Sequence, residues 1–156
     1  MARFLPVILL LAGLGGTRAP LVAQAAVPST PSLYERLGGY DEIARFIGLV
    51  FPRVAQHEQL THLFRGHGRD SQQRQFQLVV ELVCQKTGGP CAYIGRPMPP
   101  VHEGLGITSA DWDTFMAILA TGIDERGYAA DVRRDFLELW RAFRPEVVDR
   151  PSAARR

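Results

Sequence analysis

Apolar residues recur along this chain at the three- and four-residue spacing that places them on one side of a helix. Four segments carry such a stripe, and they begin near residues 41, 70, 108 and 131. The apolar positions are, in chain order, Ile43, Phe46, Ile47, Val50 and Val54; Phe76, Val79, Val80 and Val83; Trp112, Phe115, Met116, Leu119 and Ile123; and Val132, Phe136, Leu139 and Trp140. No stretch alternates convincingly between apolar and polar residues. The pattern therefore predicts an all-α fold.

Capping and helix-breaking residues set the boundaries of these elements. Ser32 and Glu35 have the spacing of a capping box, and Gly38-Gly39 ends that short helix. Asp41 is predicted to cap the next helix, and Pro52 within it predicts a kink rather than an end. A short segment over 58–64 and a turn at 65–68 come next. A helix then runs from Asp70 or Ser71 to about Lys86 and ends at Gly88-Gly89. Two further helices run from Thr108-Ser109 to Gly127 and from about Asp131 to Phe143, and Pro145 prevents the last one from extending.

The N-terminal residues have the features of a secretory signal. A positive start at Arg3 is followed by the apolar run 4–14, and Ala23-Gln24-Ala25 offers small residues where a signal peptidase cleaves. An uncleaved anchor is the alternative, although the apolar run is shorter than the roughly 20 residues that span a bilayer. We expect a cleaved signal over 1–25, a linker over 26–31, one domain over 32–148 and a disordered tail over 149–156. The mature protein is then exported, periplasmic and free of the membrane.

The charge balance gives no indication of a nucleic-acid partner. The formal net charge of the whole chain is +2, and it becomes 0 when Arg3 and Arg18 leave with the signal. A net charge of zero gives no sign of the basic excess that is typical of nucleic-acid-binding domains. We therefore expect no nucleic acid among the partners.

The two cysteines, Cys84 and Cys91, are separated by seven positions. In an exported protein they could form a disulfide that closes a small loop, or they could stay reduced. The chain contains no Cys-x-x-Cys-His motif, so covalent haem attachment of the c type is not indicated. The sequence leaves the oxidation state of this pair open.

A loop rich in glycine and proline, residues 87–108, carries the least generic histidine of the chain. His102 follows Pro99 and Pro100, whose fixed φ angles favour a single short turn over 99–103. Met98, Val101 and Leu105 surround it with apolar side chains. A histidine presented in this way could coordinate haem iron, or it could simply pack and form hydrogen bonds.

Four motifs, taken in their order along the chain, resemble those of a known family and favour the haem-ligand interpretation of His102. They are Ser32-Leu-Tyr-Glu-Arg-Leu-Gly-Gly39, Gly88-Gly-Pro-Cys91, Tyr93-Ile-Gly-Arg-Pro-Met98 and Val101-His-Glu-Gly-Leu-Gly-Ile-Thr108. With the Phe-bearing and Gln-bearing helices between them, the chain from 32 to about 147 resembles the group I truncated haemoglobins. The resemblance implies a truncated globin fold, a two-over-two helical sandwich around haem b. It also implies that His102 is the proximal ligand of a pentacoordinate iron.

Haem is a large apolar disc, so its pocket must be mostly hydrophobic and apolar residues are the candidates for its walls. The candidates are Phe64, Val79, Met98, Val101, Phe115 and Met116. Phe64 corresponds to the phenylalanine that stacks on the haem ring at a corner of the family's fold. The alternative for all six is an ordinary core position. Arg96 and Lys86 could pair with the haem propionates or could be solvated charges.

The distal side, where a gas would bind, departs from the family pattern. Many group I members have a tyrosine where alignment on residues 41–64 places Phe51, which has no hydroxyl to donate. A glutamine is the expected substitute. Counting back from Gly88-Gly89 gives Gln75 with Val79 one turn later, whereas counting forward from Phe64 gives Gln72 with Phe76. His57, His62 and His67 recur at intervals of five and share no helix face, so they do not form a metal site. One of them could reach the haem as a sixth ligand; otherwise they are surface or corner residues.

Three functions remain in view. The first is a haem protein that reversibly binds a diatomic gas (O₂, NO or CO) at pentacoordinate iron. The second is an NO dioxygenase or another haem redox enzyme, which would need an unidentified electron donor. The third is a haem-free helical interaction module, against which His102 and its Pro-Pro lead-in argue.

Overall fold

The computed structural model describes residues 30–149, so the predicted signal, most of the linker and residues 150–156 lie outside it. Within that range all regular elements are helical, as predicted. They are α1 (Leu33–Arg36), α2 (Gly39–Gln56), a 3-10 turn (Thr61–Phe64), α3 (Arg69–Lys86), α4 (Met98–His102), α5 (Ser109–Glu125), α6 (Ala130–Arg141) and α7 (Arg144–Val147). None of the helices in this range is long and apolar enough to cross a bilayer.

Local sequence explains most of the helix ends. Ser32 and Glu35 form the predicted capping box at α1, and a second capping box joins Thr108 and Asp111 at the start of α5. Pro52 lies inside α2, which continues to Gln56 as expected. The prediction that Asp41 caps α2 is wrong. Gly38, with a φ of 92°, turns the chain directly from α1 into α2, so Asp41 falls within the first turn.

The C-terminal part differs from the prediction in two respects. Asp149, predicted to begin a disordered tail, is held by hydrogen bonds to Gly106 and Ile107, and the last helix ends early. The helix expected to reach Phe143 ends at Arg141, and a separate short helix, α7, follows at Arg144–Val147. Pro145 does prevent the extension of α6, but it then occupies the first turn of α7, where its missing N–H has no cost. The chain therefore uses this proline both to end one helix and to begin another.

The core lies where α2 packs against both α3 and α5, and where α5 packs against α6. These four helices form the two-over-two sandwich. Gly122 on α5 packs directly against α2, because an added Cβ would lie 2.4 Å from Val50 and 3.4 Å from the ring of Phe46. Phe46 and Phe136 meet edge to face, with their ring centroids 5.0 Å apart. The buried core consists of Leu37, Ile43, Phe46, Ile47, Val50, Val80, Val83, Cys84, Leu119, Ile123, Val132, Phe136, Leu137 and Trp140.

Candidate functional site

His102 is the last residue of the one-turn helix α4, which begins after Pro97 and has prolines in its first turn. Its Nδ1 lies 2.9 Å from the carbonyl oxygen of Met98, one turn earlier. A carbonyl oxygen only accepts, so Nδ1 carries the proton and donates this bond. The ring is then fixed as the tautomer whose Nε2 has a free lone pair. This is the arrangement that a histidine needs in order to bind a metal through Nε2.

The loop that follows His102 is fastened to the C-terminal segment. Helix α4 packs mainly against α7. The backbone N–H of Gly106 donates to a carboxylate oxygen of Asp149 at 2.6 Å, and the N–H of Asp149 donates to the carbonyl of Ile107 at 2.9 Å. Sequence reasoning missed both α7 and Asp149, although a proline in a first helical turn was a usable signal for α7.

The segment around His102 exposes apolar surface. The exposed large apolar side chains of residues 30–149 are Ile94, Val101 and Leu105, and all of them lie within twelve residues of one loop. Val101 is 40% and Leu105 45% exposed, on either side of His102 in the chain. Ile94 lies against α3, beside Gln77 and Leu78, so Val101 and Leu105 are the two that expose apolar surface next to His102 in the chain. Exposed apolar surface beside a free ligating atom is typical of a place that a ligand covers. Together with the free Nε2, this surface fits a haem, whose ring is a large apolar disc.

Three phenylalanines form the apolar side of the distal region. Phe51 on α2 meets Phe64 and Phe76 edge to face, at centroid distances of 6.0 and 6.4 Å. Phe64 is the last residue of the 3-10 turn and is half-buried. Two of the predicted site residues, Phe51 and Phe64, are therefore in contact with each other. Phe51 offers no hydrogen-bond donor at this point.

The structure treats the two candidate glutamines differently. Gln72 is exposed and its side-chain nitrogen donates to the backbone carbonyl of His67 at 3.1 Å. Gln75 is half-buried, and its Nε2 lies 3.2 Å from Nδ1 of His67. The Oε1 atom of Gln75 is buried and has no hydrogen-bond partner among the described residues. Val79, one turn later, packs against the core. Gln75 is thus the glutamine whose amide is directed inward.

The remaining predicted wall residues occupy other surroundings. Phe115 lies between Trp112 and Trp140, at centroid distances of 5.4 and 5.3 Å. Met116 lines a cavity of about 310 Å³ between α5 and α6. Both residues therefore have core contacts of their own. Met98 contributes the carbonyl that orients His102 and is half-buried.

The two candidate propionate partners have local contacts. The guanidinium of Arg96 donates to the carbonyl of Pro100 at 3.1 Å, within the α4 turn. The ammonium of Lys86 lies 5.9 Å from the ring centroid of Phe143, a cation–π distance. Arg96 is thus close to α4 in the structure, whereas Lys86 faces the segment between α6 and α7.

The corner that carries Phe64 is held by a polar network that sequence reasoning missed. The amide of Gln59 donates to the carboxylate of Asp111 and accepts from the hydroxyl of Thr114, both at 2.9 Å. Asp111 is buried, and its pKa is lowered chiefly by the backbone N–H of Thr108 and then by Gln59. The nearby histidines, His57 and His62, bond to the backbone of Gln59.

Cys84 and Cys91 form a disulfide that joins the end of α3 to the loop before α4. Gly89 lies inside the closed loop, and an added Cβ there would fall 2.4 Å from Tyr34 and 2.7 Å from the Cys84 sulfur. Only glycine fits at this position. The bond restrains the first part of the loop that presents His102.

Comparisons with known proteins identify similar sequences and structures. The profile of the family described as bacterial-like globin matches residues 32–148. A group 1 truncated haemoglobin of Mycolicibacterium paratuberculosis is 29% identical over 117 residues, which cover 75% of this chain and 84% of that protein. A group 1 truncated haemoglobin of Tetrahymena pyriformis is 27% identical over 96 residues, covering 62% and 77% respectively.

Solved structures share the fold. The Fe(III) form of the Tetrahymena pyriformis truncated haemoglobin superposes with a TM-score of 0.70 at 22% identity. The 2/2 haemoglobin of a Synechococcus species, in the cyanomet state with covalently attached haem, gives a TM-score of 0.69 at 22% identity. Each similarity covers 77% of this chain and 100% of the solved chain.

Proposed function

Because the chain belongs to the bacterial-like globin family, whose members bind diatomic gases on haem, we propose that its own haem is haem b, held by His102. The haem supplies an iron with a coordination position for the gas. The chain would hold it through Nε2 of His102 on one side and offer a largely apolar distal region on the other, where Nδ1 of the nearby His67 is bonded to Gln75, so we expect a pentacoordinate iron. The single observation that carries the proposal is the hydrogen bond from Nδ1 of His102 to Met98.

The surrounding residues have distinct tasks in this proposal. Phe64, Val79, Met98 and Val101 exclude water from the haem faces, while Phe51 fills the place of a hydroxyl donor. Gln75 is the candidate hydrogen-bond donor on the distal side, because its side-chain amide carries N–H groups. Arg96, close to α4, is the candidate partner of a propionate. Phe115 and Met116 support the pocket from the α5 side.

Reversible binding of O₂, NO or CO is the function that this set of residues supports best. A hydrogen bond to the partly negative gas is worth about 1.5–3 kcal/mol, or about 10–150-fold in retention, and Phe51 cannot provide it. Turnover of NO would need strong retention of O₂ and an electron donor, which is unidentified. We expect little steady-state NO consumption with an artificial reductant. Sustained consumption would favour a dioxygenase instead.

A visible spectrum tests haem binding and the ligand at once. The purified chain is reconstituted with hemin, reduced, and recorded with and without CO, as the parent and as His102→Ala. We expect a Soret band that shifts with CO in the parent and is lost or strongly altered in His102→Ala. His62→Ala is the matched control, because His62 is an exposed histidine, and it should behave as the parent. A parent without a band distinct from free hemin refutes the proposal, and an unaltered His102→Ala refutes the choice of ligand.

We also propose that the protein is exported and works in the periplasm, on the basis of the N-terminal 25 residues. The mass of the protein recovered from a bacterial periplasm tests this directly. Loss of residues 1–25 is the expected result. Recovery of the full-length chain in the membrane fraction would favour the anchor instead.

A further inference from the structure

The amide of Gln75 is satisfied at one end only. Its Nε2 is bonded to Nδ1 of His67 at 3.2 Å, while its Oε1 is buried without a partner among the described residues. Buried polar atoms are nearly always hydrogen-bonded, because losing water without a replacement costs free energy. The free end of this amide therefore has a partner that the described chain does not provide. If the proposed function is right, that partner is a gas or water molecule in the distal pocket.

An amide has a donating end and an accepting end, and half a turn about its last bond exchanges them. When Nδ1 of His67 lacks a proton, it accepts from Nε2 and leaves Oε1 free. When Nδ1 carries a proton, it donates to Oε1 and leaves the amide NH₂ free. The geometry points to His67 as a positioning residue that selects which end of the Gln75 amide meets the ligand. This inference rests on the proposed function, since it concerns the same pocket.

The contacts of His67 leave this choice open to its protonation state. Its ring meets Phe64 edge to face at 6.4 Å, and its backbone carbonyl accepts from Gln72. The charged residues nearest in the chain are Arg65, Arg69 and Asp70, and no salt bridge to His67 occurs within residues 30–149. Its hydrogen-bond and ring partners among the described residues are thus uncharged.

The sign of the pH dependence follows from the imidazolium. Histidines change charge between about pH 5 and 8, and the charged ring carries protons on both nitrogens. Acidification therefore makes Nδ1 a donor, turns the amide NH₂ of Gln75 toward the ligand, and favours a gas with partial negative charge. We expect O₂ dissociation to slow about 10-fold from pH 8 to pH 5, the lower end of the range for a charge-assisted bond. A ligand that itself donates, such as water, should show the opposite trend.

The test uses the haem-loaded full-length chain and two readouts, the infrared stretching frequency of bound CO and the O₂ dissociation rate. In the parent, the C–O frequency should fall on acidification because a donor replaces a lone pair beside the ligand. His67→Phe keeps a ring beside Phe64 but has no nitrogen, so both readouts should lose their pH dependence. His62→Phe is the matched control and should retain it.

Gln75→Leu separates amide orientation from the direct field of a charged His67. The direct field would persist in Gln75→Leu, whereas an effect that acts through the amide would vanish. The inference is overturned if the C–O frequency of the parent is independent of pH, or if His67→Phe or Gln75→Leu keeps the parent's pH dependence. Failure of the proposed function is a different result, because the parent would then form no CO-sensitive haem band at all.

Discussion

Two twelve-residue stretches of this molecule treat apolar side chains in opposite ways. Helix α6 buries Val132, Phe136, Leu137 and Trp140 against the rest of the fold. The segment over 94–105 leaves Ile94, Val101 and Leu105 exposed, the last two on either side of His102 in the chain. The apolar side chains of the first stretch are buried by the protein itself, whereas those of the second remain exposed and could be covered by a haem. Stability and ligand binding are therefore carried by different parts of the chain and should respond to different substitutions.

The largest effect on stability is expected from Phe136→Ala. Phe136 is 1% exposed and packs edge to face on Phe46, so its removal should cost about 3–5 kcal/mol of unfolding free energy. Val101→Ala is the control from the exposed loop and should change the haem-free protein by less than about 0.5 kcal/mol. Urea unfolding measures both. Equal costs at the two positions would break the comparison.

A donor restored on the distal side should change gas binding more than folding. In Phe51→Tyr we expect O₂ to dissociate about 10–150-fold more slowly, the effect of one charge-assisted hydrogen bond. Stopped-flow displacement of O₂ by CO measures the rate. Phe76→Tyr adds a hydroxyl to the same ring cluster at the α3 position and serves as control. The assignment of Phe51 to the ligand side is wrong if both variants match the parent.

Two glycines distinguish tight from loose helix contacts. A Cβ at Gly122 would lie 2.4 Å from Val50, so Gly122→Ala should destabilise the fold by about 1–2 kcal/mol in spite of better helix propensity. Gly48 is exposed on α2, and its Cβ would lie at an ordinary 3.9 Å from Phe76. Gly48→Ala should therefore stabilise by about 0.5–1 kcal/mol. Thermal unfolding of the two variants should shift in opposite directions, and shifts of the same sign would contradict the packing described for Gly122.

The smallest effect concerns the buried carboxylate of Asp111. Its pKa is lowered in the folded state, so its contribution is present above the unfolded pKa of about 4 and is lost as pH falls through the folded value. The parent should therefore lose more stability between pH 5 and pH 3 than Asp111→Asn does. Urea unfolding at the two pH values measures the difference. An equal or greater acid-induced loss in Asp111→Asn would show that ionisation of the Asp111 carboxylate contributes little to stability.

The helices could be predicted because each carries an apolar stripe and a recognisable end. The site could be predicted only where local sequence defines it, as at His102 after two prolines. The distal register could not be predicted, since counting back from Gly88-Gly89 and forward from Phe64 gives glutamines three residues apart. The inward amide of Gln75 distinguishes the two counts. The contact of Gln59 with Asp111 was likewise hidden, because 52 positions separate two polar residues with no local pattern between them.

The hydrogen bonds of Gly106 and Ile107 with Asp149 mean that the C-terminal end of the fold restrains the segment after His102. The one-turn helix that presents His102 is too short to be stable on its own. The loop after it is restrained by hydrogen bonds to a residue more than forty positions away. Truncation after Arg141 would leave the four large helices intact but would remove the hydrogen bonds that restrain the segment presenting the imidazole of His102. We therefore expect shortened versions to keep a helical circular dichroism spectrum and yet to bind haem weakly.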